Sequence, residues 1–75
     1  MIQTRIVFAF SGRDDYIVII HNVADMREKL KRQKSFPTYM GHNFEWRAHP
    51  RAAWSNIGTE ALVKLLEREA QAARA

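Results

Sequence analysis

The sequence predicts an α+β fold: a small β-β-α-β-α domain in which a three-stranded, mainly antiparallel sheet carries two helices packed on one face. Three observations lead there. Residues 2–10 alternate in part, with Ile2, Ile6, Phe8 and Phe10 on one face, and β-branched residues crowd 16–21. A third short alternation spans 44–48. Helical spacing of apolar residues marks two other stretches, 23–34 and 60–73, and turn-forming residues fall between the runs. A chain of 75 residues is expected to form a single domain, 1–75.

Residues 1–21 read as a β-hairpin. In the first strand Ile2, Thr4, Ile6, Phe8 and Phe10 share one face, and Gln3, Arg5, Val7 and Ala9 share the other. Ser11-Gly12-Arg13-Asp14-Asp15 supplies a turn, with Gly12 free to take a positive φ. The second strand is apolar on both faces, with Tyr16, Val18 and Ile20 on one and Ile17 and Ile19 on the other. A chain this short buries only about 60% of the surface its unfolded form exposes, so two helices can hardly cover both sides of that strand. The uncovered side points to a homodimer or to an obligate partner.

Residues 22–34 read as a helix. Asn22 is the expected N-cap and Asp25 stands three residues on. Val23, Met26 and Leu30 form a narrow apolar stripe, and Asp25–Lys29 and Glu28–Arg32 are four-residue pairs with the acid first. Beyond Leu30 this helix is polar all round, so its end should reach solvent. Residues 35–43 read as a loop, because Phe36-Pro37 resists helix and Gly41-His42-Asn43 suits a turn. Residues 44–49 form the third strand, with Phe44, Trp46 and Ala48 on one side and Glu45, Arg47 and His49 on the other. Pro50 opens a short turn over 50–58, helical from 51 to 56 and closed by Gly58. Thr59 caps the last helix, 59–73, whose inner stripe is Leu62, Leu65, Leu66 and Ala70.

The absence of cysteine rules out a disulfide framework and a cysteine-based zinc site. It fits a reducing compartment. No stretch approaches the roughly 20 apolar residues of a membrane helix, and residues 6–10 are too short for a signal-peptide core. The expected location is cytoplasmic. His21, His42 and His49 form no helical pair, and no metal or cofactor is expected. Ser11, Ser35 and Ser55 lack a nucleophile-elbow setting, and Gly12, Gly41 and Gly58 lie too far apart for a phosphate loop. The expectation is a protein that is not an enzyme.

The formal net charge is +4, and it is uneven. Residues 27–51 hold seven basic side chains and two acidic ones, whereas the rest of the chain holds five and six. A solvated helix face with cations at its C-terminus accounts for part of this excess. An anionic partner accounts for the same charge. Five of the eight aromatic residues lie between Lys29 and Trp54, among these cations. Phe44, Trp46 and Trp54 are expected to fill the core, leaving Phe36 and Tyr39 outside.

Two functional readings follow. The first is a non-catalytic binding protein, a small regulator or inhibitor docking on a larger protein, with nucleic-acid-handling proteins among the candidates; chains of this kind match phage or mobile-element inhibitors in size, which is an analogy only. Interface cores favour Tyr, Phe, Met and Arg. The second is a nucleic-acid-binding protein whose basic segment, Arg27 to Arg51, meets phosphates while its aromatic rings stack on unpaired bases. Either way the candidate partner-binding residues are Lys31, Arg32, Lys34, Phe36, Tyr39, Met40, Arg47 and Arg51.

Overall fold

The computed structural model describes residues 1–74. Its elements run β1 (Gln3–Phe10), β2 (Tyr16–Ile20), α1 (Val23–Lys34), β3 (Tyr39–Arg47), β4 (Ser55–Ile57) and α2 (Thr59–Arg74). The class is α+β, with an antiparallel sheet and two helices. The sheet has four strands rather than three, in the order β2-β1-β3-β4. β1 therefore lies between its hairpin partner β2 and the later strand β3.

The alternation in β1 sets the layers. Thr4, Ile6, Phe8 and Phe10 are buried, and the residues between them are half-buried. On β2, Ile20 is buried and Val18 packs against the core, whereas Ile17 and Ile19 are exposed. The inner face joins Phe44 of β3, Met26 of α1, and Leu62 and Leu66 of α2 in one cluster. Both helices thus cover the same side of the sheet. Thr4 is the one buried polar residue among those described, and its hydroxyl donates to the Ile20 carbonyl at 3.0 Å. That bond removes the cost of an unpaired hydroxyl in the core.

The hairpin turn places Gly12 at φ +74°, a conformation that costs glycine nothing and that L side chains resist. α1 starts as its sequence dictates. The Asp25 amide donates to Asn22 Oδ1 at 2.7 Å, and Asp25 Oδ2 accepts from the His21 amide at 3.0 Å. Side chain and backbone satisfy one another across the first turn. At the other end the Ser35 hydroxyl and amide both donate to the Arg32 carbonyl.

Three segments depart from expectation. The loop predicted over 35–43 is shorter, because β3 begins at Tyr39: Gly41, His42 and Asn43 pair with Ala9, Phe8 and Val7 along the full length of β1. A shift between Ala9 and Phe10 pairs Phe10 with Tyr39 and leaves Met40 as the extra residue of a bulge. The helical turn predicted over 51–56 is absent. A single turn closed by the Ala52 amide on the His49 carbonyl (3.0 Å) leads instead into β4. β4 fills the open side of β3 and brings Ile57 opposite Phe44, where it packs on the core. In α2 the Leu62 amide bonds the Gly58 carbonyl at 2.9 Å, so Gly58 holds the cap position and Thr59 is already helical. Leu62 and Leu66 are buried as expected, Leu65 is half-buried, and Ala70 is exposed, as is every described residue of α2 from Glu67 onward.

Candidate interaction surfaces

The helices leave the other face of the sheet bare. It presents Gln3, Arg5, Val7 and Ala9 from β1, Ile17 and Ile19 from β2, Asn43, Glu45 and Arg47 from β3, and Asn56 from β4. Ile17 and Ile19 remain 49% and 46% exposed. They sit on β2, an outer strand with a single neighbour. Its sequence, Tyr16-Ile17-Val18-Ile19-Ile20, contains no charge and no proline to deter pairing. Lys29 guards it in part, its ammonium reaching across from α1 to the Ile19 carbonyl and to Asp25.

Beside Ile19, across β1 and β3, this face is ordered by cations. Arg5 donates through Nε to Glu45 at 2.7 Å, and Arg47 donates through Nε to Gln3 at 2.6 Å. The Trp54 ring meets both guanidiniums, 4.0 Å from Arg5 and 4.3 Å from Arg47. Trp54 therefore does not enter the core, as its hydrophobicity suggested. It returns from the loop after β3 to cover two arginines, a favourable contact between cation and ring face. Trp46 does lie on the helix side, where it lines a groove of about 270 Å³ with Ile57, Ala61 and Leu65.

A second surface lies at the far end of the sheet, where the hairpin turn meets the last turn of α1. An open cleft of about 490 Å³ is lined there by Phe10, Arg13, Asp14, Asp15, Tyr16, Gln33 and Phe36. Phe36 and Tyr16 are 45% and 48% exposed. Phe36 stands edge-on to Phe10, with ring centres 6.2 Å apart and an interplanar angle of 88°. The Arg13 guanidinium lies 5.1 Å from the Phe10 ring.

The structure divides the residues that sequence singled out. Lys31, Arg32, Lys34 and Phe36 are exposed around the last turn of α1, and Met40, 71% exposed, bulges from β3 near the same end. Arg47 belongs to the bare sheet face, and Arg51 is exposed in the turn that follows. Tyr39 and Arg47 are the two ends of β3, which eight residue steps place about 27 Å apart. Tyr39 turns inward. Its ring meets Phe10 edge-on and its hydroxyl bonds His42 Nδ1.

His42 is also not the loop residue expected. It sits on the inner side of β3 with its ring 5.0 Å from Phe44 and 6.2 Å from Phe8. Burial lowers its pKa, and the neighbouring Lys34 charge lowers it further. His21 and His49 follow β2 and β3, strands that β1 separates. Arg5, Arg13, Tyr16, Gln33 and Trp54 were not singled out from sequence. No local pattern announces them, since strand pairing and loop closure bring them to these sites.

Fold and surfaces together define a small α+β protein with one bare sheet face and a polar, aromatic cleft at the sheet's end. Among known proteins, no family model, no curated protein and no solved structure matches this chain. Among the described residues no helix is long and apolar enough to cross a membrane.

Proposed function

We propose that this protein is a non-catalytic binding module, a small regulator or inhibitor that docks on a larger protein through the bare face of its sheet. The observation that carries this reading is the pair Ile17 and Ile19, half-exposed on an outer strand while both helices pack on the other side. About half of each isoleucine stays in water, which forfeits roughly 0.7–1.5 kcal/mol per side chain, and a partner recovers it. Beside them stand Trp54, Arg5 and Arg47, residue types that dominate interface energetics. The face carries two arginines and one glutamate, with Arg5 and Glu45 already paired, so it offers few free charges for a phosphate backbone and suits a protein surface better.

In the absence of a target the same isoleucines pair two copies of this chain, so the free protein is a homodimer and target and second copy compete. The test uses nuclease-treated affinity purification with wild type and an Ile17→Asp/Ile19→Asp variant, together with light scattering of each. The expected result is a dimer that retains one protein in stoichiometric amount, and a folded monomeric variant that retains none. Identical partners and identical mass for the two forms overturn the reading.

A further inference from the structure

We infer that two copies of this chain join edge to edge, β2 of one pairing antiparallel with β2 of the other about a two-fold axis at Val18, to make one continuous sheet. The pairing rests on the reading above, in which Ile17 and Ile19 join two copies, and it adds the register and the groups that make the contact.

The first support lies in the backbone of β2. Ile20 turns its carbonyl toward β1, where it accepts the Thr4 hydroxyl at 3.0 Å. The Ile19 carbonyl turns the other way, to the Lys29 ammonium. Backbone groups alternate in direction along a strand, so Ile17 and Ile19 both aim N–H and C=O away from β1. Among the described residues no other strand or loop backbone bonds these amides. Such a row of free groups is a template for another strand.

The second is self-complementarity. With Val18 opposite Val18, Ile17 of each copy stands opposite Ile19 of the other and exchanges both backbone hydrogen bonds with it. The four isoleucine side chains then form one apolar ladder on the bare face. Exposed Tyr16 comes opposite Ile20 on the helix side. The Ile19 oxygen has two lone pairs, so it keeps Lys29 and accepts from the second copy as well.

The third is charge, and it selects a second copy over an arbitrary strand. The same register sets Asp15 of one copy opposite His21 of the other, and Asp14 opposite Asn22. There α1 begins, with the positive end of its dipole and with Lys29 beside it. The Asp25 carboxylate at that corner is already engaged by Lys29 and the His21 amide. Asp14 and Asp15 make no ion pair among the described residues. Each copy thus brings an acidic turn to the other's positive corner, and the two-fold axis repeats the contact. An in-register parallel pairing would set acidic turn beside acidic turn. β4, the sheet's other outer strand, spans only three residues, so assembly closes at two copies.

The experiment follows amide exchange at Ile17 and Ile19 by magnetic resonance as the full chain is concentrated, with light scattering giving the mass. The expected result is a dimer in which these two amides exchange about tenfold or more slowly than in dilute monomer. The chain has no cysteine, so a Val18→Cys variant carries a single thiol. Opposed residues of a non-hydrogen-bonded pair lie about 4.5 Å apart at Cα, within disulfide reach, so this variant should cross-link under mild oxidation. Ile19→Cys, which stands opposite residue 17 and not its own counterpart, should not. Asp14→Lys/Asp15→Lys should weaken the dimer about threefold or more, and salt should weaken the wild-type dimer. Circular dichroism verifies that each variant is folded. A dimer whose Ile17 and Ile19 amides exchange freely overturns edge pairing and leaves the isoleucine contact standing as a packing of two bare faces. So does cross-linking through Ile19→Cys and not through Val18→Cys. A dimer untouched by the charge reversal overturns the inference as well. A protein that stays monomeric at every concentration overturns the inference and the dimer reading beneath it together.

Discussion

The guanidinium of Arg5 lies 4.0 Å from the centre of the Trp54 ring while its Nε donates to Glu45 at 2.7 Å. One arginine thus ties a loop to the sheet and two strands to each other. Arg47 meets the same ring at 4.3 Å. Trp54 immediately precedes β4, the shortest strand, so this contact is what brings Ser55–Ile57 alongside β3. Trp54→Ala is expected to cost about 1–2 kcal/mol, the sum of two partly solvated cation–ring contacts and some lost burial. Urea denaturation reads the stability. Hydrogen exchange should show β4 amides opening first, and unchanged protection there would refute the anchoring role.

Ile6 and Ile19 are the same residue on adjacent strands, yet they face opposite sides of the sheet. Ile6 is fully buried between β1 and the helices, whereas Ile19 is 46% exposed. Ile6→Ala should cost about 2–5 kcal/mol, a large share of the stability of a domain this small. Ile19→Ala, measured on dilute monomer, should fall within about 0.5 kcal/mol of wild type. Chemical denaturation of the two variants decides the matter, and comparable losses would mean that the bare face is covered within the monomer.

Period-2 spacing was enough to read β1 and β2, because a strand with one buried face must alternate, and it separated Ile17 and Ile19 from Val18 and Ile20 correctly. The cap at Asn22 and the Asp25–Lys29 pair were legible because they act within four residues. What was not legible depends on distant partners. Gly41-His42-Asn43 reads locally as a turn, and only pairing with β1 makes it strand. Ser55-Asn56-Ile57 has almost no strand signal, and β4 exists because Phe44 and Trp46 offer it a register. Trp54 looked like a core residue because size and hydrophobicity say nothing about which side of a sheet a loop crosses. The eight partner-binding candidates formed one basic, aromatic segment in sequence, and the extended β3 holds its two ends apart.

Asn22 and Asp25 join α1 to the end of β2. Asn22→Ala leaves the Asp25 amide unpaired and is expected to cost about 1 kcal/mol. Burial acts to raise the Asp25 pKa, but hydrogen bonds from the His21 amide and Lys29, with the charge of Lys29, outweigh it and hold the carboxyl below the ordinary value. The folded pKa is thus the lower one. The contribution is present above the unfolded value of about 3.9 and is lost as pH falls through the folded one. Acid titration of stability should therefore separate wild type from Asp25→Asn at neutral pH and bring them together below pH 4. A constant gap would show that the carboxylate charge plays no part.

His42 carries the complementary dependence nearer neutrality. Its half-buried ring packs beside Phe8, Phe44 and Tyr39, and Nδ1 shares a hydrogen bond with the Tyr39 hydroxyl. Burial and then the Lys34 charge disfavour the protonated ring. Since the folded pKa lies below the unfolded value of about 6.5, the unfolded chain takes up the proton first. Stability is then full above that value and declines as pH falls from it toward the folded pKa. Melting temperatures measured from pH 8 to pH 5 should fall for wild type and change less for His42→Gln. Lys34→Gln should raise the ring's titration midpoint in proton magnetic resonance, because one of the two opposing influences is gone. A His42 ring that titrates at or above 6.5 in wild type would show that neither burial nor Lys34 controls it.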